Sequence, residues 1–340
     1  MLFISRRLLF QKSRVAHIIA FTKYNTWKKW FNLIQCYYEK KRKKTVLLSK
    51  PFLANTEPTN SCILHCPFCP TGKSNHRENG FANLMIYKKM MKELSDTLYL
   101  VTLHGWGEPL LHPKLPEIIQ IIHQNRIATA LTTNGLLLNT LISEKLIESK
   151  LDMIYISIDG ATEESYRKYR VGGSFAKVIQ NVENLVDMKK KKGSTTPFIE
   201  WQFIVFKHNE HEKEAARRLS HKIGVDNIVF LPAYTEDDRY KPTDPKMRLS
   251  QDSPLTKSTD CNHLWTTFSL HWNGNVVPCC YDYEEKNPFS DYLHTSFPAL
   301  WNNPIFQTSR EQVVTGTPDP KIGTPCYYCI QQTNYQSSLH

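Results

Sequence analysis

Between residues 51 and 235, short apolar runs rich in β-branched and aromatic residues alternate with stretches of helical periodicity. The apolar runs predict six strands, which in order read PFLANTEP, LYLVTLHG, IATALTTNG, MIYISIDG, FIEWQFIVF and VDNIVFLPA. The stretches between them predict helices over 84–95, 114–125, 138–149, 174–192 and 209–223. Alternating strands and helices imply right-handed crossovers and a parallel sheet. Six units are too few for a closed eight-stranded barrel, so the pattern predicts a partial, open one.

Glycines mark one edge of this predicted sheet. The chain has only 13 glycines, yet Gly105, Gly135 and Gly160 each follow a predicted strand, and Gly72 closes a loop of cysteines. Barrel active sites are built from the loops at the carboxyl ends of the strands, and glycine there lets the backbone approach a ligand closely. The carboxyl ends of the strands are therefore the predicted functional face.

A different pattern precedes the barrel, in an N-terminal arm over residues 1–50. Five apolar side chains of the arm share one helical face: Trp27, Trp30, Phe31, Ile34 and Tyr38. The arm carries 13 Lys and Arg against the single acid Glu39, so it contributes +12 to a net charge of +11 and leaves −1 for the other 290 residues. Its longest apolar run, VAHIIAF, is too short to span a bilayer.

Two interpretations of the arm are open. It lies on an anionic membrane surface, as basic amphipathic helices with tryptophan often do, or it forms a helical pair packed on the main domain with its charges in solvent. The near-neutral body of the chain argues against a nucleic-acid groove spread over the barrel, and we expect no nucleic-acid partner.

Eight of the nine cysteines fall in three clusters, at 62–69, 261–280 and 326–329, and Cys36 stands apart. A chain of 340 residues with 41% apolar content needs no disulfide staples, so metal ligation in a reducing compartment is favoured. The first cluster, in EPTNSCILHCPFCPTG, has the spacing C-x3-C-x2-C. Structural zinc sites and iron–sulfur clusters both normally take four ligands. A cubane cluster held by three thiolates keeps one iron open to a substrate or cofactor, which explains why three cysteines suffice.

The spacing of Cys62, Cys66 and Cys69, on the loop after the first strand, resembles the radical S-adenosylmethionine (SAM) superfamily. The resemblance implies a partial (β/α)6 barrel and a [4Fe–4S] cluster on these cysteines, whose open iron binds the amino and carboxylate groups of SAM. It also implies reductive cleavage of SAM to a 5′-deoxyadenosyl radical that abstracts a substrate hydrogen. Such an enzyme needs an external electron donor, such as flavodoxin or ferredoxin.

Further strand-end motifs carry the same resemblance. HGWGEPLLHP matches the family's GGEP motif, with Trp106 as a departure between the glycines, and SIDG followed by YRKYR matches the end of the fourth strand. The resemblance implies contacts with SAM, or for the last residue with SAM or substrate, at these positions: Gly105, Gly107, Glu108, Pro109, Ser157, Asp159, Arg170 and Gln202. For Ser157 and Asp159 the alternative is a strand-end turn. For Arg170 it is a solvated helical side chain, and for Gln202 a satisfied core amide.

The second cysteine-rich region follows a polar, proline-containing segment, 236–259, which predicts a linker. Within it, HWNGNVVPC predicts a β-hairpin with Asn-Gly at the turn. Four thiols are placed for one cage: Cys261, Cys279, Cys326 and Cys329. By ligand type and number this cage fits zinc as well as iron–sulfur. The pattern resembles a shortened SPASM or twitch extension of radical SAM enzymes, which implies one auxiliary [4Fe–4S] cluster in a small cysteine-rich α+β extension over 260–340.

Cys280 stands next to a predicted ligand, and adjacent side chains of a strand point to opposite faces. One hypothesis makes Cys280 catalytic, as a donor of a hydrogen atom to a substrate radical, which radical epimerases require. The alternative is a small buried apolar residue.

We therefore expect a cytoplasmic radical SAM enzyme with its barrel at 51–235, and peripheral membrane contact through the arm as one option. The expected reaction is epimerisation or oxidation of a sugar or other small molecule, because residues 1–50 contain no winged-helix pattern for peptide recognition. The alternative is a maturase that modifies ribosomally made peptides or sulfatases. An alternative of another class is a zinc-binding, nucleic-acid-associated module, against which the three-ligand first site and the neutral body argue.

Overall fold

The computed structural model describes residues 14–73, 77–235, 237–249, 261–278, 282–285, 288, 290–317 and 326. Its strands form one sheet in the order β10-β9-β8-β1-β2-β3-β4-β5-β6-β7. Their bounds are β1 Leu53–Thr56, β2 Leu100–Leu103, β3 Ala128–Thr133, β4 Met153–Ser157, β5 Phe198–Val205, β6 Asn227–Tyr234, β7 Arg248–Leu249, β8 Thr267–Leu270, β9 Asn275–Val277 and β10 Ser290–Asp291. Neighbours from β1 to β7 pair in parallel, which confirms the predicted parallel sheet.

Helices connect these strands and flank them. Their bounds are α1 Arg14–Lys23, α2 Trp27–Lys41, α3 Pro70–Lys73, α4 Leu84–Leu94, α5 Leu115–Gln124, α6 Thr140–Glu148, α7 Glu163–Tyr169, α8 Phe175–Lys191, α9 Lys213–Ile223, α10 His263–Thr266, α11 Phe297–Trp301 and α12 Pro304–Thr315. Side-chain caps fix several starts: the Asn83 side chain accepts a hydrogen bond from the Met85 N–H at α4, and Asn139 accepts from Ile142 at α6. The bounds of four of the five predicted helices lie within two residues of those of α4, α5, α6 and α8. The fifth is divided into the 3-10 turn Glu210–Glu212 and α9.

Strands β1 to β5 are largely buried on both faces, as parallel strands covered by helices are, whereas β6 is only partly buried. On β5, Trp201, Phe203 and Val205 belong to the large hydrophobic cluster that also contains Ile118 of α5 and Val182 of α8. The alternate side chains of β5 point to the opposite face, which lines the inside of the barrel. The strand residues thus separate an outer apolar core from a lumen.

Helix α1 closes the amino-terminal end of this lumen. Ala20 and Tyr24 pack in one hydrophobic cluster with the first inward residues of successive strands, which are Leu53, Leu100, Ala128 and Met153. The Phe21 ring lies 4.4 Å from the ring of Tyr99, and the Tyr24 hydroxyl donates a hydrogen bond of 2.7 Å to Asp152. The closed end of the barrel is therefore opposite the predicted functional face.

Helix α2 docks beside α1 largely through polar side chains, with Leu33 and Cys36 in the same apolar cluster as Tyr24. The buried residues of α2 are Lys29, Asn32, Cys36 and Glu39. Lys29 Nζ donates a hydrogen bond of 2.6 Å to the carbonyl of Arg126, in the turn between α5 and β3, and Asn32 Nδ2 donates one of 2.8 Å to the carbonyl of Lys50. Residues 14–41 thus form a helical pair that packs on the main domain, as one of the two interpretations of the arm expects, although Lys29 is buried and not in solvent.

The apolar face of α2 points outward. Trp27 is 77% exposed and Phe31 is 66% exposed, and Trp30, Ile34 and Tyr38 are exposed as well. This differs from the usual amphipathic helix on a soluble domain, whose apolar stripe faces the core. Among the described helices, none has the length and hydropathy that a transmembrane span requires.

The C-terminal region continues the sheet of the barrel. Strand β8 pairs in parallel with β1, and the β8–β9 hairpin turns at Gly274, whose φ of +92° suits glycine, as the predicted Asn-Gly turn requires. At the opposite edge, β7 pairs with β6, so part of the predicted linker 236–259 adds a strand. Arg310 joins this region to the arm, since its buried guanidinium donates to the carbonyls of Thr45, Leu264 and Trp301.

Candidate functional site

The three cysteines of the C-x3-C-x2-C motif lie together between β1 and α3, at the carboxyl end of the sheet. They border a small buried cluster formed by Leu64, Tyr169, Phe206 and Ala233. Burial raises the pKa of the Cys62 thiol to about 11, and repulsion from Cys66 and Cys69 adds to the rise. Burial also raises the pKa of Cys66. Thiols in this setting stay protonated near neutral pH until a metal displaces the proton.

The backbone of the cysteine loop is closely folded. The Cys69 N–H donates to the carbonyl of Cys66 (3.1 Å), and the Gly72 N–H donates to that of Cys69 (3.0 Å). A Cβ atom at Gly72 would lie 2.5 Å from the Cys66 carbonyl oxygen, so a larger residue would push the loop open. Val171 anchors the loop from outside, because its carbonyl accepts a hydrogen bond of 2.9 Å from the His65 N–H.

The thiol set fits an iron–sulfur cluster. Cys62, Cys66 and Cys69 lie together in one small cluster of side chains, and thiolates are the usual ligands of iron–sulfur clusters. Arg170 Nη1 lies 4.0 Å from Cys66 Sγ and places a positive charge where an anionic cluster would sit.

The glycines of HGWGEP bring the end of β2 against the end of β1. A Cβ atom at Gly105 would lie 2.6 Å from the Glu57 side chain, and one at Gly107 would lie 2.2 Å from the Thr59 carbonyl oxygen. These glycines are therefore required for close packing of the chain on itself. Their predicted contact with SAM stays a prediction. Trp106, between them, accepts a hydrogen bond from the Thr71 hydroxyl through its carbonyl.

Glu108 is fully buried and already hydrogen-bonded. Its carboxylate accepts from the Thr133 hydroxyl (2.6 Å), from the Asn134 N–H (2.8 Å) and from the Leu110 N–H (3.1 Å). Burial raises the pKa of Glu108, and these hydrogen bonds oppose the rise. Glu108 thus links the ends of β2 and β3, and Pro109 begins the buried 3-10 turn that follows. A carboxylate has about four acceptor sites. Three hydrogen bonds already occupy those of Glu108, so about one site remains for the predicted contact with the SAM amino group.

Asp159 and Arg170, both predicted to contact SAM, pair with each other. Arg170 Nε donates a hydrogen bond of 2.6 Å to the Asp159 carboxylate, which also accepts from the Ile204 N–H at 2.6 Å. Asp159 is fully buried, and the Arg170 side chain is largely so. Asp159 therefore holds Arg170 in place, and Arg170 extends toward Cys66 rather than into solvent.

Ser157 and Gln202 are register partners on β4 and β5, and both face the lumen. Gln202 Nε2 donates to the Glu200 carboxylate (3.2 Å), which also accepts from Asn227 Nδ2 (2.8 Å). Gln202 is buried but Ser157 is partly exposed, so this wall is accessible from the carboxyl end. Other inward positions are also polar: the uncharged Asn55, Thr102 and Thr132, and the carboxylate Glu200.

A charged cluster beside Trp106 was not predicted from the sequence. Arg77 Nη2 lies 2.9 Å from a carboxylate oxygen of Glu57 and 2.5 Å from one of Glu285, which in turn lies 2.5 Å from His271 Nδ1. The four side chains are nearly buried. Burial alone would raise the pKa of Glu285, but hydrogen bonds from His271, Asn275 and Asn273 lower it to about 2. No motif or regular spacing in the sequence links these four residues. The position of Glu57, directly after β1, is the one signal that could have indicated a functional residue.

This cluster connects the barrel to the C-terminal hairpin. Glu57 follows β1, His271 follows β8, and Arg77 lies after the cysteine loop. The ring of Tyr283 contacts Arg77 (5.6 Å from its centroid) and the edge of Trp106 (5.6 Å between centroids). The carboxyl ends of β1, β2 and β8 are thereby held as one wall around the cysteine loop.

Family models match two parts of the chain. The model of the radical SAM superfamily covers residues 56–214, which include the cysteine loop and strands β2 to β5, and that of the SPASM iron–sulfur cluster-binding domain covers 261–330. Residues 56–214 of this chain form a radical SAM domain. The two matches confirm the predicted order of a radical SAM domain and a SPASM-type extension. They also confirm the predicted cofactors, iron–sulfur clusters and SAM.

Curated relatives of this radical SAM protein have several activities. The probable GTP 3′,8-cyclase of Methanococcus maripaludis is 30% identical over 182 residues, which cover 52% of this chain and 58% of the relative. Mycofactocin maturase MftC of Mycobacterium ulcerans is 29% identical over 138 residues, which cover 41% of this chain and 37% of the relative. The chain therefore spans less than two thirds of each relative's length.

Solved structures establish the fold. SuiB of Streptococcus suis, bound to S-adenosylmethionine, superposes with a TM-score of 0.65 over 87% of this chain and 75% of SuiB, at 13% identity. The enzyme anSMEcpe with bound AdoMet gives a TM-score of 0.56 over 84% of this chain and 97% of its own, at 15% identity. At these identities the likeness concerns the fold alone, and it confirms the mostly parallel α/β architecture.

The predicted auxiliary site of this radical SAM protein is only partly described. Cys261 is partly buried just before α10, and Cys326 packs against the edge of the main core, while Cys279, Cys280 and Cys329 lie outside the described residues. Cys261 borders a cavity of about 320 Å³ whose other walls include Lys40, Lys41 and Lys43 of the arm. The four-thiolate cage and the role of Cys280 stay predictions.

Proposed function

We propose that this radical SAM protein removes a hydrogen atom from a polar small molecule, such as a sugar, and so epimerises or oxidises it. The observation that carries the proposal is the polar wall of the lumen, between the closed amino-terminal end and the cysteine loop. Hydroxyl and amide side chains such as Ser157 and Gln202 both donate and accept hydrogen bonds, which suits a hydroxylated substrate.

Cys62, Cys66 and Cys69 would hold the first cluster. When bound, cluster and SAM supply a 5′-deoxyadenosyl radical that takes the substrate hydrogen. Arg170, held by Asp159 at 2.6 Å, offers its positive charge beside the thiols, where an anionic cluster or the SAM carboxylate would be stabilised. These residues position the reactants and exclude water around them.

The C-terminal region would carry a second cluster on Cys261, Cys279, Cys326 and Cys329, with electrons from an external donor such as flavodoxin or ferredoxin. In an epimerisation the substrate radical must receive a hydrogen atom from a group other than the one that removed it. We keep Cys280 as the proposed donor of that atom. One electron from the external donor and a proton would then restore the Cys280 thiol. In a dehydrogenation the substrate radical would instead lose a proton and give one electron to the second cluster.

A peptide substrate is the second candidate. MftC is a maturase by name, and one SuiB structure with a TM-score of 0.61 is bound to the precursor peptide SuiA. A peptide backbone is also polar and would find partners in the same lumen. The substrate class is therefore decided by assay.

The first test compares wild type with a C62A/C66A/C69A variant after anaerobic reconstitution. We expect about eight irons in wild type and about four in the variant, with dithionite-driven cleavage of SAM lost. Cys36→Ala is the matched control, because Cys36 is a buried cysteine away from the site and its loss should leave iron and cleavage unchanged. Bound zinc without iron or cleavage would contradict the enzyme and support the zinc-binding module.

The second test screens nucleotide sugars and precursor peptides for a substrate-dependent rise in 5′-deoxyadenosine. A rise with sugars alone supports the proposal, and a rise with peptides alone replaces it by the second candidate. Gln202→Leu then separates roles: we expect roughly tenfold less substrate-dependent product with unchanged substrate-free cleavage if Gln202 contacts substrate. Equal loss of both would place Gln202 against SAM.

A further inference from the structure

Helix α2 presents an exposed apolar stripe along its whole length. Six side chains form it, at spacings of three and four residues: Trp27, Trp30, Phe31, Ile34, Tyr37 and Tyr38, each between 44% and 77% exposed. The opposite side of the helix is fixed on the barrel by Lys29, Asn32 and Glu39, so α2 cannot rotate its stripe inward without breaking those buried contacts. The exposure is therefore a fixed property of how α2 docks.

Cationic side chains stand at the end of the stripe. Lys41, Arg42 and Lys43 are exposed, and the guanidinium of Arg42 lies 5.7 Å from the centroid of the Tyr38 ring. The basic residues on the other side of the arm are engaged with the barrel, as in the Lys28–Asp96 pair at 2.8 Å. The exposed cationic group is thus concentrated beside the aromatic stripe.

We propose that α2 binds an anionic membrane surface, with the stripe in the headgroup region and Lys41, Arg42 and Lys43 on acidic lipids. Tryptophan and tyrosine suit this interface because their rings are apolar and their N–H and O–H groups are polar. Charge complementarity favours a lipid surface over a second copy, since two arms of charge +12 would repel each other. The sequence of residues 1–13 has the same basic character, since it contains three Lys and Arg residues and no Asp or Glu.

The geometry also assigns the orientation of the bound protein. The arm packs at the amino-terminal ends of the strands, and the cysteine loop lies at their carboxyl ends. With α2 on a bilayer, the candidate active site opens away from the lipid. Peripheral attachment of this kind leaves the lumen accessible to a substrate in solution.

The test is co-sedimentation of the full chain with vesicles of phosphatidylcholine alone or mixed equally with phosphatidylglycerol. We expect binding to the mixed vesicles that weakens with salt. The W27A/F31A variant should bind the vesicles roughly tenfold or more weakly, because two aromatic side chains that would be buried in the headgroup region are lost. K41Q/R42Q/K43Q should lose a similar or larger factor on the mixed vesicles only.

Leu141→Ala is the matched control, since Leu141 is 57% exposed on α6, and its binding should equal wild type. Circular dichroism melting curves of all variants should coincide, because every substituted side chain is exposed. Absence of binding to mixed vesicles, or wild-type binding by W27A/F31A, would overturn the proposal. The wild type could instead bind no vesicles but form a dimer in sedimentation velocity or an RNA complex in a gel shift. If W27A/F31A abolished that dimer or complex, the stripe would be assigned to that partner.

Discussion

Helices α5 and α2 are both amphipathic, yet they dock on the barrel through opposite faces. Helix α5 buries its apolar side chains, Leu115, Ile118, Ile119 and Ile122. Helix α2 buries Lys29, Asn32, Cys36 and Glu39 and leaves its aromatic stripe in solvent. The barrel helix follows the rule for soluble domains, and the arm helix reverses it.

The difference teaches that the two helices are held by different forces. Burial of apolar area is non-directional, and each buried aliphatic side chain contributes about 1.5–3 kcal/mol. A buried hydrogen bond contributes only about 0.5–1.5 kcal/mol net, but losing one partner of it is costly and depends on geometry. Helix α2 therefore docks in one fixed orientation at modest net stability. The aromatic residues of the α2 stripe do not stabilise this docking, so they can contact a surface other than the barrel.

The largest effect is expected from the apolar docking of α5. Ile119 is fully buried, so Ile119→Ala should lower the free energy of unfolding by about 2–5 kcal/mol through lost burial and the cavity left behind. Urea unfolding followed by circular dichroism measures it. A loss below about 1 kcal/mol would mean that the core of the barrel repacks freely around α5, and that burial of apolar area is not what holds this helix in place.

A smaller and more local effect is expected from Glu39. Its carboxylate accepts hydrogen bonds from the Ser49 hydroxyl (2.6 Å), from the N–H groups of Leu48 (2.9 Å) and Ser49 (3.1 Å), and from Gln35 Nε2 (2.9 Å). Glu39→Ala leaves these donors unsatisfied and should cost about 1–3 kcal/mol. Hydrogen exchange should quicken in α2 and in residues 42–50 but not in the barrel strands. Glu39→Gln keeps one acceptor oxygen, so it should lose less stability and show a smaller increase in hydrogen exchange than Glu39→Ala.

Acid should release the arm before it affects the barrel helices. Burial alone would raise the pKa of Glu39, but hydrogen bonds from Ser49, Gln35 and Leu48 outweigh it and hold the pKa below its ordinary value of 4.5. The unfolded arm therefore takes up the proton first, so the stabilisation is complete above pH 4.5 and is lost as pH falls through the lower folded value. Exchange rates in α2 should rise over that window in wild type. A rise of the same size in Glu39→Gln would assign the acid sensitivity to other groups.

Much of the fold and part of the site were readable from the sequence, because they depend on local patterns. Strand and helix order follows from periodicity, and the cysteine loop follows from the spacing of Cys62, Cys66 and Cys69. Periodicity tells which side chains of α2 share a face but not which face is buried. That depends on a barrel surface that offers the Arg126 carbonyl to Lys29, which no local pattern contains.

The charged cluster at the site was missed for a similar reason. Glu57, Arg77, His271 and Glu285 meet because β8 pairs with β1, a contact between strands more than 200 residues apart in the chain. Glu108 and Asp159 were predicted as ligands of SAM from motifs, and the structure adds that both carboxylates also hold neighbouring strands and loops together. A motif predicts which residue types stand at a strand end. Whether such a side chain bonds to neighbouring strands or to a ligand depends on the residues around it in the fold.

The smallest effect is expected from the stripe itself. Trp27 is 77% exposed, so Trp27→Ala should change the free energy of unfolding by no more than about 0.5 kcal/mol, far less than Ile119→Ala. The same urea titration measures both variants. A loss above about 1 kcal/mol would mean that Trp27 is covered by another part of this chain in solution, since an exposed side chain has little burial to lose. The stripe would then be part of the fold, and α2 would no longer differ from α5 in the way it uses its apolar face.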